Sequence, residues 1–163
     1  MSDKEISNAL NMIPYGFYAL TSRNGDDRNV MVLNWFSQVS FKPQHVAIGL
    51  QKNSYTFGLI NQSRKFIVNI FQKDGAKIIK AFSKSREKNP EKFDNVEFTD
   101  GPVTRVPVLD GAAAYIECEV IDIVDTNSGH SVVVAVVVGG DVITDGKVEE
   151  TLTLQDLGWN YSG

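Results

Sequence analysis

Apolar positions along this chain change period twice, and the changes divide it into β, mixed and β thirds. At the start, Ile6, Leu10 and Ile13 recur at helical intervals behind a Ser2–Glu5 pair with capping-box spacing. Residues 2–12 are therefore expected to form a short amphipathic helix, ended by Pro14. Gly16 to Ser22 reads as a strand, Asn24-Gly25 as a hairpin signal, and Asn29 to Leu33 as the return strand. A further strand, His45 to Leu50, is entered through Pro43.

The middle third is mixed. Ser54 is placed to cap a helix carrying Tyr55, Leu59 and Ile60, followed by a strand from Phe66 to Phe71. Asp74 is expected to cap a second helix with Ile78, Ile79 and Phe82 on one face, and residues 83–95 read as a solvated excursion. Pro102 and Pro107 bracket a loop-rich connection. The last third returns to β. Ala114 to Val124 alternates, with Ile116, Cys118 and Val120 on one side and Glu117 and Glu119 on the other. Val132 to Val138 is a continuous apolar, valine-rich run, the pattern of a strand buried on both faces, and Thr126 to Gly129 is the turn before it. Strands with tight turns and two or three helices predict an antiparallel barrel of six or seven strands with helices outside it.

Composition narrows the function. The 163 residues suit one domain, and 42% hydrophobic content is enough for a core. Sixteen basic against 20 acidic residues, with no block of like charge, leave no footprint for nucleic acid. The longest apolar run is far short of a membrane span and no signal-peptide layout opens the chain, so a cytoplasmic protein is expected. One cysteine, Cys118, excludes an internal disulfide and a cysteine-based metal centre. The two histidines match no metal-ligand spacing, and no phosphate-loop, dinucleotide or nucleophile-elbow motif is present.

Three segments combine residues that chemistry uses. Asn34-Trp35-Phe36-Ser37-Gln38 mixes large aromatics with amides and a hydroxyl. That mixture suits a flat heteroaromatic ligand, and it suits an aromatic core corner equally. Gln51-Lys52-Asn53-Ser54-Tyr55-Thr56 places a cation and hydroxyls at a helix start, where free N–H groups favour an anion; an ordinary helix cap is the competing account. Ser128-Gly129-His130-Ser131 puts a histidine at a turn, able to aim its ring over a neighbouring pocket or simply to sit on the surface.

Taken in this order, the segments resemble the flavin reductase-like family with its FMN-binding split barrel, over about Pro14 to Val142. The stretch Asn29 to Pro43 is the most specific part, with Phe66-Ile67-Val68-Asn69 and Ala81-Phe82-Ser83 as further matches. Leu157-Gly158-Trp159-Asn160-Tyr161 is similar to the ends of some members. The resemblance implies a single domain over 1–163 that binds FMN near the interface of a homodimer. Asn34, Trp35, Phe36, Ser37 and Gln38 would run along the isoalloxazine ring. Lys52, Asn53, Ser54 and Thr56 would meet the phosphate, and Phe82 and Ser83 would lie at the edge of the site. His130 would stand on the nicotinamide side, with NADH or NADPH as donor, although the family's acidic residue before this histidine is replaced by Gly129. The function implied is hydride transfer from NAD(P)H to FMN. An electron carrier with tightly bound FMN and a redox protein partner, or a non-redox flavin-binding module, stand as alternatives.

Overall fold

The computed structural model describes residues 2–160, so Tyr161 lies outside the described residues. The elements are helix α1 (Asp3–Leu10), strands β1 (Tyr18–Asn24), β2 (Asp27–Leu33), β3 (Phe36–Phe41) and β4 (Gln44–Gln51), helix α2 (Tyr55–Ser63), strand β5 (Lys65–Ile70) and helix α3 (Ala76–Lys80). Four strands follow: β6 (Phe98–Asp100), β7 (Pro107–Leu109), β8 (Ala114–Asp125) and β9 (His130–Val142). Seven of these strands form one antiparallel sheet in the order β2-β1-β5-β8-β9-β4-β3, and β6 pairs with β7 separately. The two edges of the large sheet, β2 and β3, are joined in the chain by Asn34 and Trp35 alone. Leu33, Phe36 and Tyr18 belong to one apolar cluster, with the Tyr18 and Phe36 rings edge-on at 5.1 Å. The sheet therefore curls until its edges approach, as a mainly β split barrel with peripheral helices requires.

Period-2 burial fills the two sides. Leu20, Ile48, Phe66, Val68, Cys118 and Val133 pack inside the barrel with Ile60 of α2. Phe17, Ala19, Phe71, Ile79, Leu109 and Leu152 form a second cluster on the other side. Burial pushes the Cys118 thiol up to about 12, so it behaves as an inert apolar group.

Several local expectations are corrected. The first hairpin turns on Gly25-Asp26 rather than Asn24-Gly25: Asn24 pairs with Asp27, and Gly25 takes φ +61°, as the first central residue of a two-residue turn does when it is glycine. Asp74 does not cap α3. It sits in a 3-10 turn, Lys73–Gly75, that leads into a five-residue helix ending before Phe82. Segment 36–41, for which no element was predicted, is a strand paired with β4. The valine run is buried on one face only: Val133 and Ala135 are sealed inside, whereas Val132, Val134 and Val136 are half-buried outside. Glu117, on the opposite side of β8 from Ile116 and Cys118, is fully buried all the same. It accepts the Thr104 N–H and hydroxyl, each at 2.7 Å, and so pins the 101–106 turn across the sheet.

Candidate flavin and nicotinamide clefts

The N-terminus of α2 and the end of β2 open onto a cleft of about 730 Å³. Local sequence explains its floor. Ser54, extended at φ −75° and ψ 147°, caps α2 by accepting the Phe57 N–H at 3.1 Å, and the first turn, Ser54 to Thr56, lines the cleft. Thr56 is buried in the first turn, and its hydroxyl accepts the Asn29 side-chain N–H at 2.9 Å. Asn29 is only 3% exposed, yet its Oδ1 has no protein partner. A buried acceptor without a protein partner is costly unless a ligand or water donates to it, and Asn29 is one of the residues lining the cleft.

Above this floor lies the 82–92 segment. Lys92 is buried and donates to the carbonyls of Phe82 at 3.2 Å and Lys84 at 2.6 Å. No carboxylate pairs with it among the described residues. Desolvation, with the Arg86 charge adding to it, brings its ammonium down to about 8. Arg86 stacks on the Tyr55 ring at 4.3 Å, lies 3.4 Å from Asp27 and donates to the Arg28 carbonyl. Tyr55 in turn donates to Asp27, which raises the phenol above its ordinary range. The cleft is lined here by Lys84, Arg86, Glu87 and Lys92 beside a helix N-terminus; with Arg86 near Asp27, Lys84 and Lys92 are the cations without a carboxylate partner among the described residues, and they favour an anion.

A second cleft, of about 540 Å³, lies across the outer face of β4 and β9. Trp35 and His130 stand on its border, edge-on at 5.0 Å and 67°. The indole lies against Gly49, where an added Cβ would come within 3.0 Å of the ring; glycine is what permits the approach. A small gap of about 80 Å³ shares Met31 and Asn34 with the large cleft and Asn34, Trp35, Gly49 and His130 with the second. Asn34 borders all three spaces and is held by donating to the Gly16 carbonyl at 3.0 Å.

The structure therefore gathers Asn34, Asn53, Ser54, Thr56, Phe82 and Ser83 around the large cleft. It places Trp35, Phe36, Ser37 and His130 around the second one. Gln38 lines none of these spaces and donates instead to the Ser40 carbonyl at 3.0 Å, at a register shift of β3. Lys52 also lines none of them; its ammonium is paired with Asp125 at the β8–β9 turn. The residues not anticipated are Asn29, Lys84, Arg86 and Lys92. Asn29 was legible only as a strand residue, and the three cations lie in a polar segment indistinguishable by composition from a solvated loop.

A family model described as flavin reductase like domain matches residues 10–159. The chain belongs to that family. It is 30% identical over 138 residues to a ferric-chelate reductase (NAD(P)H) of Archaeoglobus fulgidus, covering 83% of this chain and 80% of that protein. It is 29% identical over 141 residues to diflavin flavoprotein A 1 of Synechocystis sp., covering 86% of this chain. The chain spans only about a quarter (24%) of that flavoprotein's length. Among solved structures, the flavin reductase HpaC complexed with NADP+ superposes with a TM-score of 0.75 at 23% identity, over 90% of each chain, which establishes the common fold.

Proposed function

We propose that this protein is an NAD(P)H-dependent flavin reductase that binds FMN in the large cleft and the nicotinamide donor in the second. The observation that carries this reading is that the two clefts share walls with one small gap, at Met31 and Asn34 on one side and Trp35, Gly49 and His130 on the other. Two ligands seated on either side of that gap would meet there. The large cleft suits FMN in particular, because it needs a donor and an anion from the same ligand. Asn29 Oδ1 lacks a donor, which a ribityl hydroxyl or ring N–H supplies. Lys84 and Lys92 have no carboxylate partner among the described residues and stand by the α2 N-terminus, and a phosphate would supply the anion. A bound flavin contributes the hydride-accepting chemistry. The chain's own residues bind and orient: Asn29 and Thr56 read donor groups, Lys84 and Lys92 neutralise charge, and Trp35 and Phe36 offer apolar cover. His130 presents a ring nitrogen to the donor side, with no proton transfer required of it.

Relatives named for NAD(P)H-dependent reduction and for flavin support the same assignment. An electron carrier with tightly held FMN is the second reading, favoured by Gly129 standing where an acidic residue would orient His130. We further read residues 1–163 as one cytoplasmic domain that pairs as a homodimer. A second copy would cover the half-buried Val132, Val134 and Val136 face and the apolar side of α1, a helix with no buried residue. Sedimentation at micromolar concentration should give a dimer; a monomer would remove this part.

The test of the function is direct. FMN should bind at least tenfold more tightly than riboflavin by fluorescence quenching, and NADH or NADPH should bleach the bound flavin anaerobically. His130→Ala should slow that reduction about five- to tenfold, the worth of one oriented hydrogen bond, with FMN affinity nearly intact. Equal affinity for riboflavin would remove the phosphate site, and an unchanged reduction rate in His130→Ala would favour the electron carrier.

A further inference from the structure

Lys52 borders neither cleft. Its ammonium pairs with Asp125, and its backbone N–H donates to the Gly129 carbonyl at 3.0 Å. Asp125 Oδ1 accepts a second bond, from the Asn127 N–H at 2.9 Å, with Asn127 in the left-handed region at φ +55°. These two contacts, Lys52 first, hold the Asp125 carboxyl below its ordinary range. Inside the same turn, the Thr126 hydroxyl donates to the His130 carbonyl at 2.9 Å, and the His130 N–H donates to Ser128 Oγ at 3.1 Å. The turn that carries His130 is thus folded around one carboxylate, and Lys52 ties it by side chain and backbone to the loop entering α2.

We infer that Lys52 is a positioning residue for His130: its ion pair with Asp125 fixes the β8–β9 turn so that the His130 ring stays against Trp35 beside the gap that shares walls with both clefts. The inference rests on the flavin reductase reading of His130 and changes the role expected for Lys52, from a phosphate contact to an anchor on the donor side. Three observations support the change. The large cleft already has two cations without a carboxylate partner among the described residues, Lys84 and Lys92. The Asp125 carboxylate at the Lys52 ammonium would oppose a phosphate there. His130 pairs with Gln51 on the last rung of the β4–β9 ladder, and ladder ends open most readily, so a tie just beyond that rung has leverage on the ring. Both charged groups are solvated, so the effect is modest, about two- to fivefold.

The chain has two histidines, so the His130 ring resonance is separable from that of His45 by NMR of the apo protein. In Lys52→Met and Asp125→Asn, the His130 ring proton should move away from its Trp35-shifted position while His45 stays in place, and Lys52→Arg should retain the wild-type shift. With FMN loaded, reduction by NAD(P)H should slow two- to fivefold in both variants, with FMN affinity within twofold of wild type. A His130 resonance unmoved in both variants overturns the inference. So does a loss of FMN affinity in Lys52→Met that Asp125→Asn does not share, since that is the signature of a phosphate ligand. A moved resonance with unchanged reduction upholds the anchor and overturns the nicotinamide role of His130 instead.

Discussion

Asn69 and Asn29 are the same residue type on strands of one sheet, both almost wholly buried, and they answer burial in opposite ways. Asn69 closes its account within the protein. Its amide donates to Ala19 O at 3.3 Å and Thr21 Oγ1 at 3.0 Å, and its Oδ1 accepts the Leu109 N–H at 2.9 Å. Asn29, which lines the large cleft, donates to Thr56 and leaves Oδ1 without a protein partner. Buried amides that tie strands together are structural; one left half-satisfied beside a cleft is poised for a ligand. The difference separates fold from function inside a single sheet.

The same substitution at both positions breaks the comparison most sharply. Asn69→Leu strands the Leu109 N–H and the Thr21 hydroxyl's bond in the core, so it should cost about 3 kcal/mol by denaturant unfolding. The folded fraction should bind FMN as wild type does. A stability within about 0.5 kcal/mol of wild type would show that this network is not structural.

Lys92 tests the ligand side. Lys92→Met should weaken FMN by about 1.5–3 kcal/mol, roughly ten- to a hundredfold by fluorescence titration, the worth of a charge-assisted contact. Its pH dependence carries two opposite signs. The folded amine titrates near 8 against an ordinary 10.5, so the native apo protein binds fewer protons than the unfolded chain across that window. Apo stability should therefore rise as pH increases from 8 toward 10.5. FMN affinity should fall as pH rises through 8, because the neutral amine no longer offers a charge. Lys92→Met should flatten both trends; if it leaves them in place, another group titrates.

The smallest effect sharpens the comparison from the other side. Asn29→Leu removes an acceptor that has no protein partner and one buried donor bond, to Thr56, so apo stability should fall by about 1 kcal/mol, clearly less than in Asn69→Leu. FMN affinity should drop about fivefold, the value of one neutral hydrogen bond of about 1 kcal/mol. A loss of stability as large as that in Asn69→Leu would make Asn29 a structural residue as well.

The sequence by itself determined the elements whose signals are local. The Ser2–Glu5 box, the Ser54 cap, the Asn24-Gly25 neighbourhood and the alternation through β8 lie within a few residues of one another, and the structure forms an element at each. The aromatic segment after β2 and the hydroxyls before α2 were legible as candidate ligand contacts for the same reason. Contacts between distant residues were not. Lys52 reads as a phosphate cation until the fold brings Asp125, 73 positions away, against it. Glu117 reads only as the polar side of an alternating strand until Thr104 closes on it, and Lys92 reads as one charge in a polar loop until the carbonyls of Phe82 and Lys84 take its ammonium. In each case the decisive partner comes from another element or another turn of the same loop. Whether a charged group meets solvent, a counterion or a cleft is set by which segments the sheet brings together, and only the tertiary structure decides that.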